Sequence, residues 1–190
     1  MNHDLASLKA SLAGAPAKAV RAQLTRLVPF KDLIGYNPPN WLYTSGKPNR
    51  CNPAGVNCVY FSEGKDVAQA EYEYMWQSLV GKHQPVTTYF ATVELHRVLD
   101  LADDTTLKAL NMDAKDLFKN WRRANRLTLT QLLGQAVNET GLFSAIRFPS
   151  KASAMGGHAG INFVIFRSCV RSPDVVRILG PANKPLQEWP

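Results

Sequence analysis

From Thr87 to Leu95 the chain alternates without interruption: Tyr89, Ala91, Val93 and Leu95 fall on one face, Phe90, Thr92 and Glu94 on the other. A two-residue period of this kind marks a half-buried strand. Shorter strands are expected at Val59–Ser62, Ala145–Phe148 and Ile161–Phe166. Between them the period changes to that of a helix. Asp66 can cap a helix over residues 67–80, with Gln69 three positions on as in a capping box. Asp103 or Asp104 can cap a short helix, and Asp113 starts another that contains Leu117, Phe118 and Trp121. Thr128 to Thr140 reads as an amphipathic helix with Leu132, Leu133, Ala136 and Val137 inward, stopped by Gly141. Residues 1–27 carry Leu5, Leu8, Leu12, Val20, Leu24 and Leu27 at helical intervals, broken by Gly14 and Pro16, which predicts one or two helices packed on a core or a partner. The segment Pro149–Gly160 reads as a loop rich in small residues. Strands and helices in irregular order imply an α+β fold.

With 190 residues, the chain fits one domain that buries enough surface to fold without a disulfide or a metal. Its three cysteines, Cys51, Cys58 and Cys169, cannot form a closed disulfide set and show no CxxC spacing. A reducing compartment is the expectation, and zinc is not expected. No apolar run approaches the length of a membrane span, and the first residues lack a basic stretch followed by an apolar one. We therefore expect a cytoplasmic protein, with export by a leaderless route as the alternative. Twenty-two Lys and Arg against 15 Asp and Glu give a net charge of +7. That excess suits nucleic acid, an anionic small ligand or an acidic partner. The charges are scattered, with Arg122, Arg123 and Arg126 the densest group, which reads as a solvated face.

The stretch Pro29–Asn57 is rich in Pro and Gly, and irregular segments of this length inside a domain are usually functional. It presents Arg50, whose planar fork suits phosphate oxygens and which is otherwise a surface arginine. On the following helix Glu71 shares a face with Val67, Ala68, Tyr74 and Met75, so its carboxylate must be paired with Arg or Tyr, hydrogen-bonded, or functional. Tyr60 is either a core tyrosine or a ligand contact. Ser150 follows a strand but lies in no GxSxG elbow, so a phosphate or ribose contact suits it better than nucleophilic attack. The Gly-rich loop around His158 lacks the Gly-Lys-Ser/Thr of a P-loop, and His83 and His96 give no metal-ligand spacing.

In order along the chain stand Asn49-Arg50-Cys51-Asn52-Pro53-Ala54-Gly55, Val59-Tyr60-Phe61-Ser62, Ala68-Gln69-Ala70-Glu71, Leu99-Asp100-Leu101, Thr130-Gln131-Leu132-Leu133-Gly134-Gln135-Ala136, Phe148-Pro149-Ser150-Lys151-Ala152 and Gly160-Ile161-Asn162-Phe163. This ordered set resembles the RES-domain family across about residues 24–168. The chain departs from the family's pattern at Asn49, where Gly is usual, and at Cys51, where Trp is usual. The family is named for an Arg, a Glu and a Ser. Glu71 and Ser150 match the last two, and Arg26 is the best match for the first, with Arg21 the alternative.

The resemblance implies an ADP-ribosyltransferase-like fold, with small twisted sheets forming a central cleft. It implies a helical extension over 1–23 ahead of a single RES domain over 24–190. It implies a toxin that cleaves NAD⁺ by hydrolysis or phosphorolysis, uses no metal, and is covered by a separate antitoxin or immunity protein. Glu71, Arg50 and Ser150 are then the expected catalytic group, with Arg26, Arg50, Tyr60 and Ser150 binding NAD⁺. Two alternatives stand beside this: ADP-ribosylation of a protein target, and a basic module that contacts nucleic acid. Neither nucleic acid nor membrane is expected as a partner of the NAD⁺-cleaving form.

Overall fold

The computed structural model describes residues 4–30, 42, 46–77 and 84–190. Its longest strand is β3, Val86–Asp100, which contains the alternating stretch. Ala91, Val93 and Leu95 are buried, while Phe90 and Glu94 face out, so the expected face assignment holds. One edge of β3 pairs antiparallel with β1, Lys18–Pro29, from Lys18↔Val98 to Pro29↔Val86. The other edge pairs with β6, Val175–Leu179, and then in parallel with β4, Ala145–Pro149. β7, Pro185–Trp189, extends the sheet beyond β6. β5, Ile161–Phe166, lies between β4 and β2, Cys58–Ser62. β2 meets β1 at Thr25↔Ser62. The seven strands run β1-β2-β5-β4-β3-β6-β7, and the β1–β3 pairing brings the two ends of the first five together. The result is the expected α+β arrangement, with two sheet regions, β2-β5-β4 and β1-β3-β6-β7, joined at both sides.

The strands of the first region are buried on both faces, and alternate residues feed two cores. Val59, Phe61, Phe163 and Ile165 join Leu24, Ala91, Val93, Leu95, Val176 and Ile178 between the sheet regions. Cys58, Val164, Phe166, Ile146 and Phe148 face the other way, onto the helices. The helical layer comprises α1, Leu5–Gly14, α3, Asp104–Ala109, and α4, Leu129–Thr140. α1 begins at a reciprocal Asp4–Ser7 capping box and sinks Leu8 and Leu12 into this core. α2, Lys65–Gln77, follows β2.

Several expectations are corrected. Residues 1–27 are not helical throughout: α1 ends at Gly14 and Pro16, and β1 follows. Val20, Ala22 and Leu24 also fit a two-residue period, and β1 gains a partner along nearly its whole length opposite β3, which decides the outcome. The boundary at 23/24 falls inside this strand. Asp66 lies within the first turn of α2 rather than capping it, placing its charge at the positive end of the helix. Residues 78–80 of that expected helix, His83, and positions 31–41 and 43–45 of the Pro/Gly-rich stretch lie outside the described residues. The helix expected from Asp113 is instead two 3-10 turns, Ala114–Phe118 and Trp121–Arg123, because Asn120 accepts the Arg122 N–H and starts the second afresh. The expected cap at Asp103 is present, with its side chain accepting from Thr105 N. The loop 149–160 contains a short helix, α5, Lys151–Met155, capped by Ser150. β6 and β7 had no counterpart in the sequence reading.

The sheet regions are pinned where β3 ends. Asp100 accepts from Lys18 Nζ at 2.7 Å and from Arg147 Nη1 at 3.0 Å, and Arg147 also pairs with Glu63 at 3.1 Å. Burial pushes the Asp100 carboxyl up, but the hydrogen bonds from Lys18, Arg147 and the Ala102 N–H outweigh it and hold it below its usual 3.8. A lowered carboxyl pKa stabilises the fold above the unfolded value and loses that contribution as pH falls through the folded one. Asp100→Asn is therefore expected to cost about 3 kcal/mol at pH 7. The deficit should shrink as the pH drops below about 4, where the unfolded carboxyl takes up its proton first and the folded one follows at lower pH. Chemical denaturation of both proteins at pH 7 and pH 3 checks this; an equal deficit at both would locate the cost elsewhere.

Candidate active site

β1 and β2 diverge from their meeting point at Thr25 and Ser62, and a cleft of about 330 Å³ opens beside them. Arg26 and Tyr60 line its strand side, Glu71, Tyr74 and Met75 its helix side, Arg50 comes from a loop and Trp121 from the second 3-10 turn. Glu71 is the single acidic residue among the described lining residues, and it shares the cleft with Arg26, Arg50 and Arg122. The volume lies at the low end of the roughly 300–1,000 Å³ usual for ligand sites. A larger, more open hollow of about 640 Å³, edged by Lys108, Asp113, Asp116 and Lys119, contains none of the expected site residues.

Glu71 is half-buried on α2, and among the described residues no Arg or Tyr bonds to it. Its Oε1 accepts from Ser150 Oγ at 2.7 Å and from Asn162 Nδ2 at 2.7 Å. Ser62 Oγ in turn donates to Asn162 Oδ1 at 2.7 Å. Glu73, two residues on, is exposed and bonded to Gln69, as the helix geometry requires. Ser150 is 1% exposed, and its oxygen also accepts the Ser153 N–H as the cap of α5. Its hydroxyl thus reaches Glu71, and Ser150 is not among the described residues that line the cleft.

Arg50 sits in a loop held from two sides. Asn52, 1% exposed, donates through Nδ2 to the carbonyls of Lys47, Pro53 and Val56. The Tyr60 hydroxyl donates to Asn52 Oδ1 at 2.8 Å and accepts the Cys51 N–H at 3.0 Å. Burial pushes the Tyr60 hydroxyl well above its usual pKa, so it stays protonated as a strut of the loop. The Tyr60 ring lines the cleft and meets Phe148 edge-on at 6.5 Å. The second hold comes from α4. Thr130 Oγ1 donates to the Arg50 carbonyl at 2.7 Å, and Gln131 Nε2 to the Asn49 carbonyl at 2.9 Å. Gly134 gives the Cys51 carbonyl room to lie against the helix. The run Thr-Gln-x-x-Gly is therefore the seat of the arginine loop. The Arg50 guanidinium donates through Nη1 to the Leu117 carbonyl at 2.8 Å.

Arg26 lines the cleft and donates to the Tyr60 carbonyl at 2.9 Å, whereas Arg21 is exposed on β1 opposite Glu94. Cys51 and Cys58 are buried, which pushes both thiols up to about 12 and leaves them unreactive. His158 is exposed, and no group of His, Cys, Asp and Glu suited to a metal occurs among the described residues. Sequence reasoning missed Asn162 as a partner of Glu71, Asn52 as the loop's centre, and Trp121. Arg122, Arg123 and Arg126 are all exposed as expected, and Arg122 in addition edges the cleft and stacks over Trp121 at 4.8 Å. The Asn-Pro turn was a usable signal for Asn52.

A Cβ at position 134 would overlap the Cys51 carbonyl oxygen. Gly134→Ala should therefore cost about 3 kcal/mol or more, because helix and loop must part. Denaturant unfolding reads this, and a variant of wild-type stability would show that the loop is not seated on α4.

The RES-domain family profile matches residues 26–185. No curated protein matches the chain. Among solved structures, a chain of the M. tuberculosis MbcT–MbcA toxin–antitoxin complex superposes with a TM-score of 0.63 at 14% identity, covering 96% of this chain and 91% of that one. The fold is the ADP-ribosyltransferase-like α+β fold.

Proposed function

The chain belongs to the RES-domain family, and from that premise we propose that it cleaves the nicotinamide–ribose bond of NAD⁺. The observation that carries the reading is the composition of the cleft: one carboxylate among the described lining residues, Glu71, together with three arginines and with Tyr60 and Trp121. Nicotinamide departs with the electron pair of the broken C–N bond and leaves as a neutral base. No general acid is needed for that departure. The positive charge remains on the ribose, and a fixed carboxylate is the group suited to stabilise it. Ordinary glycosidases need a second carboxylate to protonate the leaving group, and none lines this cleft among the described residues. Arg26 and Arg50 suit the pyrophosphate, and the aromatic rings suit the flat bases. Ser150 supports Glu71 from behind. Water or phosphate then adds to the ribosyl cation, and water releases a proton as it does so.

We further propose that the chain is the toxic half of a pair whose second protein covers the cleft. Its resemblance in fold to a chain of a toxin–antitoxin complex and its net charge of +7 support an acidic partner.

The test is incubation of the purified protein with NAD⁺, with and without phosphate, followed by identification of the products. ADP-ribose would mark hydrolysis, and ADP-ribose-1″-phosphate phosphorolysis. Glu71→Gln should reduce NAD⁺ loss by about 10²-fold or more while leaving the fold intact. A fully active Glu71→Gln protein would sink the assignment, and label transferred from NAD⁺ to a protein would redirect it to ADP-ribosylation.

A further inference from the structure

We propose that Ser62 and Asn162 are positioning residues that hold Glu71 in one orientation, so that Oε2 alone faces the ribosyl cation. The inference rests on the reading of Glu71 given above and adds to it which of the two oxygens works and what fixes it. Both donors to the carboxylate, Ser150 Oγ and Asn162 Nδ2, converge on Oε1. Among the described residues none donates to Oε2. A glutamate side chain otherwise turns freely about its last bond, and two donors on one oxygen remove that freedom.

The orientation of Asn162 is itself fixed. Ser62 and Asn162 are directly opposite each other on β2 and β5, each 6% exposed, so their side chains meet on one face of the sheet. The amide oxygen of Asn162 can only accept, so the Ser62 hydroxyl must donate to it, and this turns the amide NH₂ toward Glu71. A flipped amide would set its oxygen against the carboxylate. The chain of donors therefore runs one way, from Ser62 to Asn162 to Glu71. Neutral donors on an ionised acceptor make the last link the strongest. Ser62 and Asn162 both line the cleft, but the bonds of their side chains run to each other and to Glu71, and it is through Glu71 that they act on the reaction.

The experiment measures kcat and KM for NAD⁺ on the full chain carrying Asn162→Ala, Ser62→Ala or Ser62→Thr, with folding checked by thermal unfolding. Asn162→Ala should lower kcat about 10²-fold with little change in KM, since a misoriented carboxylate still lets NAD⁺ bind. Ser62→Ala should lower kcat about tenfold, and Ser62→Thr, which keeps the hydroxyl, should recover most of that loss. A loss of packing alone would not separate alanine from threonine in this way. The same proteins are compared with Glu71→Ala in a double-mutant cycle on thermal stability, where a direct Asn162–Glu71 contact gives non-additive shifts. Additive shifts, an unchanged kcat in Asn162→Ala, or a Ser62→Thr protein as slow as Ser62→Ala would overturn the positioning role while leaving NAD⁺ cleavage in place. A wild-type chain that does not consume NAD⁺ would overturn the functional reading, and the catalytic use of this positioning with it, even where the stability cycle shows coupling.

Discussion

β3 is long enough to serve three neighbours, and the rest of the molecule is arranged around that fact. One edge carries β1 along nearly its whole length, while the other carries β6 and then, at Val98–Asp100, a parallel contact with β4. The β4-β5-β2 group is thereby brought round to meet β1 at Thr25 and Ser62. Lys18, Asp100, Arg147 and Glu63 tie the far side of this closure with ion pairs. Contact between β1 and β2 is brief, and the space where they separate is the cleft. The same geometry that closes the sheet on one side leaves it open on the other.

Within that opening, the side chains are held in place by unlike means. Glu71 belongs to a helix and is gripped by two polar groups from separate elements, Ser150 at the start of α5 and Asn162 on β5. Arg50 belongs to an irregular loop and is placed by its backbone, which α4 and the Tyr60 hydroxyl secure. The buried polar atoms of Asn52 are matched to carbonyls and to Tyr60, so the loop has no cost of unsatisfied groups to carry.

Much of this was legible in the sequence where the signal is local. The alternation of β3 and the helix from Thr128 to Thr140, stopped by Gly141, depend on neighbours within a few residues, and both appear as read. β1 was misread because leucines and valines at mixed spacing fit either period, and the strand's partner lies some seventy residues away in the chain. The 3-10 turns after Asp113 were misread for a smaller reason, a fresh cap at Asn120. At the site, Glu71, Arg26 and Arg50 were found through residue type and order and do share one cleft. Ser150 was found too, but its hydroxyl turns to Glu71, a contact across 79 positions that no spacing rule reveals. Asn162 stands in the motif Gly160-Ile161-Asn162-Phe163, but nothing local marks it as the partner of Glu71, and a Trp among arginines reads as ordinary until the fold sets Trp121 in the same cleft.

The hydrogen bonds by which α4 grips the arginine loop run to its main chain, at the carbonyls of Asn49 and Arg50, and the Cys51 carbonyl lies against the helix at Gly134. Every residue type offers a carbonyl, so that grip is indifferent to which side chains the loop displays. Position 49, whose side chain is only half-buried, is consequently free to differ, and this chain carries Asn49 there, while Cys51 is constrained separately by its burial in the core it shares with Leu133 and Ala136. Gly134, on the helix side of the same contact, has no such latitude, because any side chain would occupy the carbonyl's place. The tolerance and the constraint of one contact thus fall on opposite partners, and the loop can diversify around a fixed helix.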